Sequence, residues 1–230
     1  KNHNYIGDPI NAVKLFNDLR ADELVFLDIL ASKEQRTIQL EFVQKVGDEC
    51  NMPFSVGGGI KTIADIKQIL NAGAEKVIIN SYAAENPEFI KQASEEFGSS
   101  TIVVSIDVKK NLFGKEHTYI LGGTKSTSYN AVDFAKLMEE KGAGELIINS
   151  IDKDGTMEGY DLQLTKKVSE AVTIPVIACG GAGNYSHLNE GIKSFASAVA
   201  AGSMFIYHGP RKAVLINYPS KEELQKIFLS

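Results

Sequence analysis

Four aspartates, Asp28, Asp107, Asp152 and Asp154, stand at or just past the ends of apolar runs, in F-L-D-I, V-S-I-D-V and N-S-I-D-K-D-G-T. A carboxylate at the end of a buried strand is costly unless it is solvated or paired, and partial desolvation raises its pKa into a range useful for proton transfer. The four are therefore candidate acids and bases. Asp107 stands out because a long polar stretch, Asn111 to Thr127, follows it and could fold over it as a lid. Asp154-Gly155-Thr156 also reads as an ordinary turn.

Other apolar runs stop in small residues: Gly57-Gly58-Gly59, Asn80-Ser81, Gly180-Gly181-Ala182-Gly183 and Gly202-Ser203. Glycine lets the backbone approach a ligand closely, and the N-terminus of a following helix offers unpaired N–H groups and a positive dipole end to an anion. Two phosphate sites are expected, one from Gly58, Gly59, Asn80 and Ser81, the other from Gly180, Gly181, Gly202 and Ser203. A ligand holding both would carry a phosphate at each end. The spacing matches neither the P-loop nor the dinucleotide fingerprint, so no nucleotide cofactor is expected. At the opposite ends of the runs, Glu23, Lys76 and Glu145 each open a strand, which suggests a ring of alternating charge that could act as a gate.

These residues need a scaffold of repeated strands. Continuously apolar runs, Leu24–Asp28, Phe54–Val56, Lys76–Asn80, Ile102–Asp107, Leu146–Asn149, Val176–Cys179 and Ser197–Ala201, alternate with amphipathic helical patterns. Such runs are what parallel strands buried on both faces require. An internal repeat favours a closed barrel over an open sheet. Glu23 and Glu145, Pro53 and Pro175, Gly59 and Gly181, and Ser81 and Ser203 are all 122 positions apart. The expected fold is α/β, a (β/α)8 TIM barrel of two similar halves, 1–99 and 100–230, forming a single domain over 1–230. The partner of the Thr101–Asp107 strand would fall 122 positions earlier, before residue 1, so seven strands of eight are expected in this sequence, the first being absent from it.

Composition narrows the ligand. A formal net charge of −5, without a basic stripe, gives no footprint for nucleic acid. Cys50 and Cys179 fit neither a metal spacing nor a disulfide framework, which suits a reducing cytoplasm, and no metal is expected. No apolar run approaches a membrane span, and Lys1-Asn2-His3-Asn4-Tyr5 lacks the apolar stretch of a signal peptide.

Six stretches, D-E-L-V-F-L-D-I, F-S-V-G-G-G-I, A-E-K-V-I-I-N-S, V-V-S-I-D-V-K, G-A-G-E-L-I-I-N-S-I-D-K-D-G-T-M-E-G-Y-D and P-V-I-A-C-G-G-A-G-N, resemble the cyclase-subunit family of imidazole glycerol phosphate synthase from about Gly7 to Ser203. The resemblance implies a lyase of histidine biosynthesis that forms a heterodimer with a glutaminase docked at the bottom of the barrel. Ammonia from that partner attacks a bisphosphorylated aminoimidazole carboxamide ribonucleotide, giving imidazole glycerol phosphate and an aminoimidazole carboxamide ribotide. Asp107 matches one of the family's two catalytic aspartates. Asp28, Asp152 and Asp154 match acids lining the site. Glu23, Lys76 and Glu145 match three of four gate residues. The second aspartate and the fourth gate residue, an arginine, belong to the family's first strand.

The ending M-F-I-Y-H-G-P-R-K-A-V-L-I-N-Y-P-S and the run Tyr5 to Val13 depart from the usual enzyme and resemble a paralogous branch that amidates surface-polysaccharide sugars. There, His208, Arg211 and Lys212 would touch a different acceptor or simply cap the last helix. A sugar-phosphate isomerase of the related half-barrel family, which has no need of the charged ring, and a non-catalytic scaffold are the competing classes.

Overall fold

The computed structural model describes residues 7–111, 114–209 and 211–229. The first residues of the chain, including Tyr5 and Ile6 of the Tyr5–Val13 run, lie outside the described residues, as do Leu112 and Phe113 of the insert and Pro210 of the ending. In chain order the elements are α1 (Pro9–Asp18), β1 (Leu24–Leu27), α2 (Leu40–Glu49), β2 (Phe54–Gly57), α3 (Ile63–Asn71), β3 (Lys76–Ile79), α4 (Ser81–Glu85), α5 (Glu88–Phe97), β4 (Ile102–Lys110), β5 (Glu116–Ile120) and β6 (Lys125–Ser126). Then follow α6 (Ala131–Glu140), β7 (Glu145–Ser150), α7 (Leu162–Ser169), β8 (Val176–Cys179), α8 (Tyr185–Lys193), β9 (Ala198–Val199), α9 (Ser203–Ile206), β10 (Tyr207–His208), β11 (Ala213–Val214) and α10 (Lys221–Leu229).

Seven strands pair in parallel in the order β1-β2-β3-β4-β7-β8-β9, the sequential order of a (β/α) barrel. Among the described residues β1 and β9 end the row, each bonded on one side. Helices start where the sequence supplies caps. Thr62 and Asp65 form a reciprocal capping box on α3, and Asn130, Asp161 and Asn184 accept backbone N–H groups at the starts of α6, α7 and α8.

The register sorts each strand into two faces. Val56, Val77, Ile79, Val104, Ile106, Leu146 and Ile148 face the helices and are at most 2% exposed. The opposite face forms the lumen, where Ile78, Val103 and Ile147 pack as a separate apolar layer with Ile177 and Cys179. This double burial explains the unbroken apolar runs. β1 departs from the expectation. Its burial alternates, with Val25 40% and Leu27 48% exposed, because it ends the row of strands. The last strand is also shorter than the Ser197–Ala201 run, covering Ala198–Val199.

The insert after Asp107 is a hairpin. β5 pairs antiparallel with the end of β4, Asp107 opposite Tyr119, and β6 folds back on β5. Leu121, Gly122 and Gly123 turn it through left-handed backbone, where two glycines avoid a steric penalty. Its root is clamped by Lys110–Asp161 at 2.8 Å and Lys167–Glu116 at 3.2 Å. At the other end of the chain, the Tyr218 hydroxyl donates to Asp22 at 2.6 Å, tying the approach to α10 to the start of β1. His208, Arg211 and Lys212 belong to the exposed β10–β11 hairpin. They do not cap the last helix; Ser220 and Glu223 do that, by exchanging backbone bonds.

Candidate active site at the carboxyl ends of the strands

Asp107 sits near the top of β4 and points into the lumen. Its neighbour β3 runs on into Asn80-Ser81 and β7 ends in Asn149-Ser150, each completing an I-I-N-S tetrapeptide, and the two asparagines flank it. The Asn149 Nδ2 donates to Asp107 Oδ1 at 2.9 Å, while the Asn80 amide donates to the Ser105 carbonyl at 2.9 Å. Burial pushes the Asp107 carboxyl above the usual carboxylate range, and the negative charge of Asp154 adds to this against the amide hydrogen bonds. The protonated form therefore persists to higher pH than in a free aspartate. Asn149 was not foreseen as a site residue, although the repeated I-I-N-S tetrapeptide marks it.

Asp28 has a different environment. Burial alone would raise its pKa, but the Arg36 guanidinium, with Nη1 2.5 Å from Oδ2, and the Leu30 and Ala31 N–H groups hold it below the usual range. It is an ionised brace for the loop that follows β1. Asp152 accepts the Lys110 backbone N–H at 2.9 Å, fixing the point where β4 leaves β7. Asp154 is exposed beside the mouth, and its charge reaches both Asp107 and Cys179.

A cavity of about 140 Å³ gathers Asp28, Gly58, Gly59, Asn80, Ser81, Asp107 and Asn149. The first set of expected phosphate ligands thus lies together with Asp107. The tip of the hairpin reaches the same place, and the Leu121 N–H donates to the Ser81 hydroxyl at 3.0 Å. Gly180, Gly181, Gly202 and Ser203 stand apart from that cavity at the ends of β8 and β9.

Most of these glycines are explained first by the chain's own packing. A Cβ on Gly59 would drive into the Arg36 carbonyl, one on Gly180 would come within 2.6 Å of Asn149 Oδ1, and one on Gly181 would meet the Gly159 carbonyl. Gly202 differs, since a Cβ there meets nothing within 4 Å. Among the described residues no group of three or more His, Cys, Asp or Glu is placed to hold a metal ion. No helix among them is long and apolar enough to cross a membrane.

At the amino ends of the strands, Glu23, Lys76 and Glu145 come together in the lumen. The Lys76 Nζ is 2.7 Å from Glu145 and 3.7 Å from Glu23, whose other oxygen accepts the Ser55 hydroxyl at 2.5 Å. Burial opposes the charge on Lys76, yet the two carboxylates outweigh it and raise its pKa. Ser55, 2% exposed, is a member of this ring that the strand pattern did not single out.

The arrangement offers a protonatable acid above and a fixed charge cluster below on the same inner faces. The chain is also similar along most of its length to proteins of known sequence. The histidine biosynthesis protein family matches residues 1–211. The imidazole glycerol phosphate synthase subunit HisF of Alkaliphilus metalliredigens is 46% identical over 203 residues, 88% of this chain and 81% of that protein. The subunit of the same name from Oceanobacillus iheyensis is 46% identical over 219 residues, 95% of this chain and 86% of that one. With a family match over most of its length and relatives at this identity, the chain belongs to the histidine biosynthesis protein family.

Proposed function

We propose that the chain is the ammonia-using cyclase subunit of an imidazole glycerol phosphate synthase, a carbon–nitrogen lyase that works with a glutaminase subunit. The observation that carries this reading is the pairing of two sites on one lumen. The Glu23, Lys76 and Glu145 ring closes the amino end, and Asp107 with Asn80 and Asn149 stands at the carboxyl end. A sugar-phosphate isomerase has use for the upper site alone.

In this reading ammonia enters past Lys76, travels between the strands, and meets the bisphosphorylated aminoimidazole carboxamide ribonucleotide at the mouth. Asp107 serves as general acid or base there. Burial raises its pKa above the usual carboxylate range, which favours a carboxyl that can donate and recover a proton, and Asn149 fixes one of its oxygens. Asp154 keeps the proton on Asp107 by its charge, while Asp28 orders the loop on the cavity wall. Gly58, Gly59, Asn80 and Ser81 would take one phosphate, and Gly180, Gly181, Gly202 and Ser203 the other.

Asp107→Asn tests the reading. Loss of general acid–base catalysis costs about 10²- to 10⁴-fold in turnover with free ammonia. The fold is retained, and at neutral pH the variant is at least as stable. The sign follows from the raised pKa: ionising Asp107 penalises the folded state as pH rises through its folded value, and asparagine has no such penalty. Full turnover by the variant would remove Asp107 from the chemistry.

A further inference from the structure

Before β1, β3, β7 and β9 the chain makes the same turn. A residue with positive φ follows the preceding helix, then comes a buried alanine, then one spacer, then the residue at the level of the charged ring. The pairs are Arg20-Ala21, Gly73-Ala74, Gly142-Ala143 and Phe195-Ala196, with first-residue φ values of 56°, 105°, 92° and 69° and alanines at most 6% exposed. Gly73 and Gly142 are what such a turn asks for. A Cβ on Gly73 would sit 3.2 Å from the Gly47 Cα, and one on Gly142 would press on the Ser94 hydroxyl. Phe195 occupies the position of Gly73 in the second half, 122 residues on.

Phenylalanine is a poor choice there for both backbone conformation and burial. A bulky side chain strains left-handed backbone that glycine adopts freely. The residue is 61% exposed, so burial does not compensate, and its charged neighbour is the Lys166 ammonium, 5.4 Å from the ring centroid at the end of α7. Arg20 repeats the anomaly before β1, exposed and left-handed. Both lie in helix-to-strand turns, on the face where Glu23, Lys76 and Glu145 open. Strain kept for no more internal gain than one exposed cation–π contact at Phe195 points outward, and aromatic and arginine side chains are the types enriched at protein interfaces.

We infer that Phe195, with Arg20, anchors the glutaminase subunit on the rim around the charged ring. The inference rests on the reading that ammonia arrives from such a partner. A subunit that passes ammonia to the ring must seal against the turns around it, and these are the two turns where the chain holds a protruding side chain against its backbone preference.

Two variants test it, Phe195→Gly and Arg20→Gly, both in the full chain and both relieving strain. The measurements are affinity for a purified glutaminase subunit of an imidazole glycerol phosphate synthase by calorimetry, thermal midpoint, and self-association by sedimentation. Phe195→Gly is expected to weaken the complex at least tenfold with no fall in the thermal midpoint, Arg20→Gly to weaken it less, and Phe195→Tyr to restore it. Affinity unchanged within twofold would overturn the inference. A lowered midpoint would mark Phe195 as structural, and loss of self-association in place of partner binding would make a second copy the occupant; either also overturns it. If the unaltered chain binds no glutaminase, the ammonia reading itself falls, a result distinct from equal binding by wild type and variant.

Discussion

Replacing Lys76 by methionine keeps the length of the side chain and removes the one cation between two carboxylates. In the structure the ammonium is 2.7 Å from Glu145 and 3.7 Å from Glu23, and the three side chains are 21%, 20% and 35% exposed. Exposed ion pairs contribute about 0–1 kcal/mol, whereas breaking a buried pair costs about 3–5 kcal/mol. A cluster one-fifth to one-third exposed falls between, at about 2 kcal/mol, which for a chain of this size lowers the thermal midpoint by roughly 4–8 °C. The pH dependence has a definite sign. Lys76 has a raised folded pKa, so its contribution is present in full below the ordinary lysine value of about 10.4 and fades as pH climbs through the folded value. The stability gap between wild type and Lys76→Met should therefore be constant across neutral pH and shrink only in strong alkali. Paired assays address function: glutamine-dependent turnover with the partner, and turnover with ammonium salt at a pH that supplies free ammonia. Glutamine-dependent activity should fall about tenfold further, the equivalent of about 1.4 kcal/mol of lost coupling. Equal losses in both assays would refute the gate, and an unchanged melting curve would refute the electrostatic argument.

Two further outcomes follow from the packing. Gly59→Ala places a Cβ against the Arg36 carbonyl at a φ of 66°, so left-handed strain of about 1–2 kcal/mol adds to overpacking of about 1–3 kcal/mol; a urea midpoint equal to wild type would contradict this. Burial, with the charges of Asp154 and Asp107, pushes the Cys179 thiol up to about 12, so a thiol reagent at pH 8 should label it only after unfolding, and rapid labelling in the native state would be inconsistent with the lumen described.

The strands were legible because a lumen and a helix layer both demand apolar side chains, and Ile102 to Ile106 and Leu146 to Ile148 satisfy both at once. One offset links Glu23 to Glu145 and Gly59 to Gly181, and the structure places the members of each pair at corresponding ends of their strands. The charged ring could be read because the first residue of each strand occupies an equivalent level. What stayed hidden depends on neighbours remote in sequence. Asn149 meets Asp107 across 42 residues, and only the pairing of β4 with β7 makes them adjacent. Asp28 and Asp152 look like Asp107 along the chain, yet one is claimed by Arg36 and the other by the Lys110 N–H. The glycines at the strand ends read as room for an anion, while several also yield to a carbonyl of the chain itself.

If ammonia takes the proposed route, the layer formed by Ile78, Val103 and Ile147, set between the ring below and Asp107 above, would sort it by protonation state rather than by bulk. An ammonium ion crossing it would surrender its hydration to hydrocarbon, a penalty of many kcal/mol, whereas the uncharged molecule gives up only a few hydrogen bonds. On that route each nitrogen atom would have to shed a proton before passing this layer, and the carboxyl at the far end is where one could be returned.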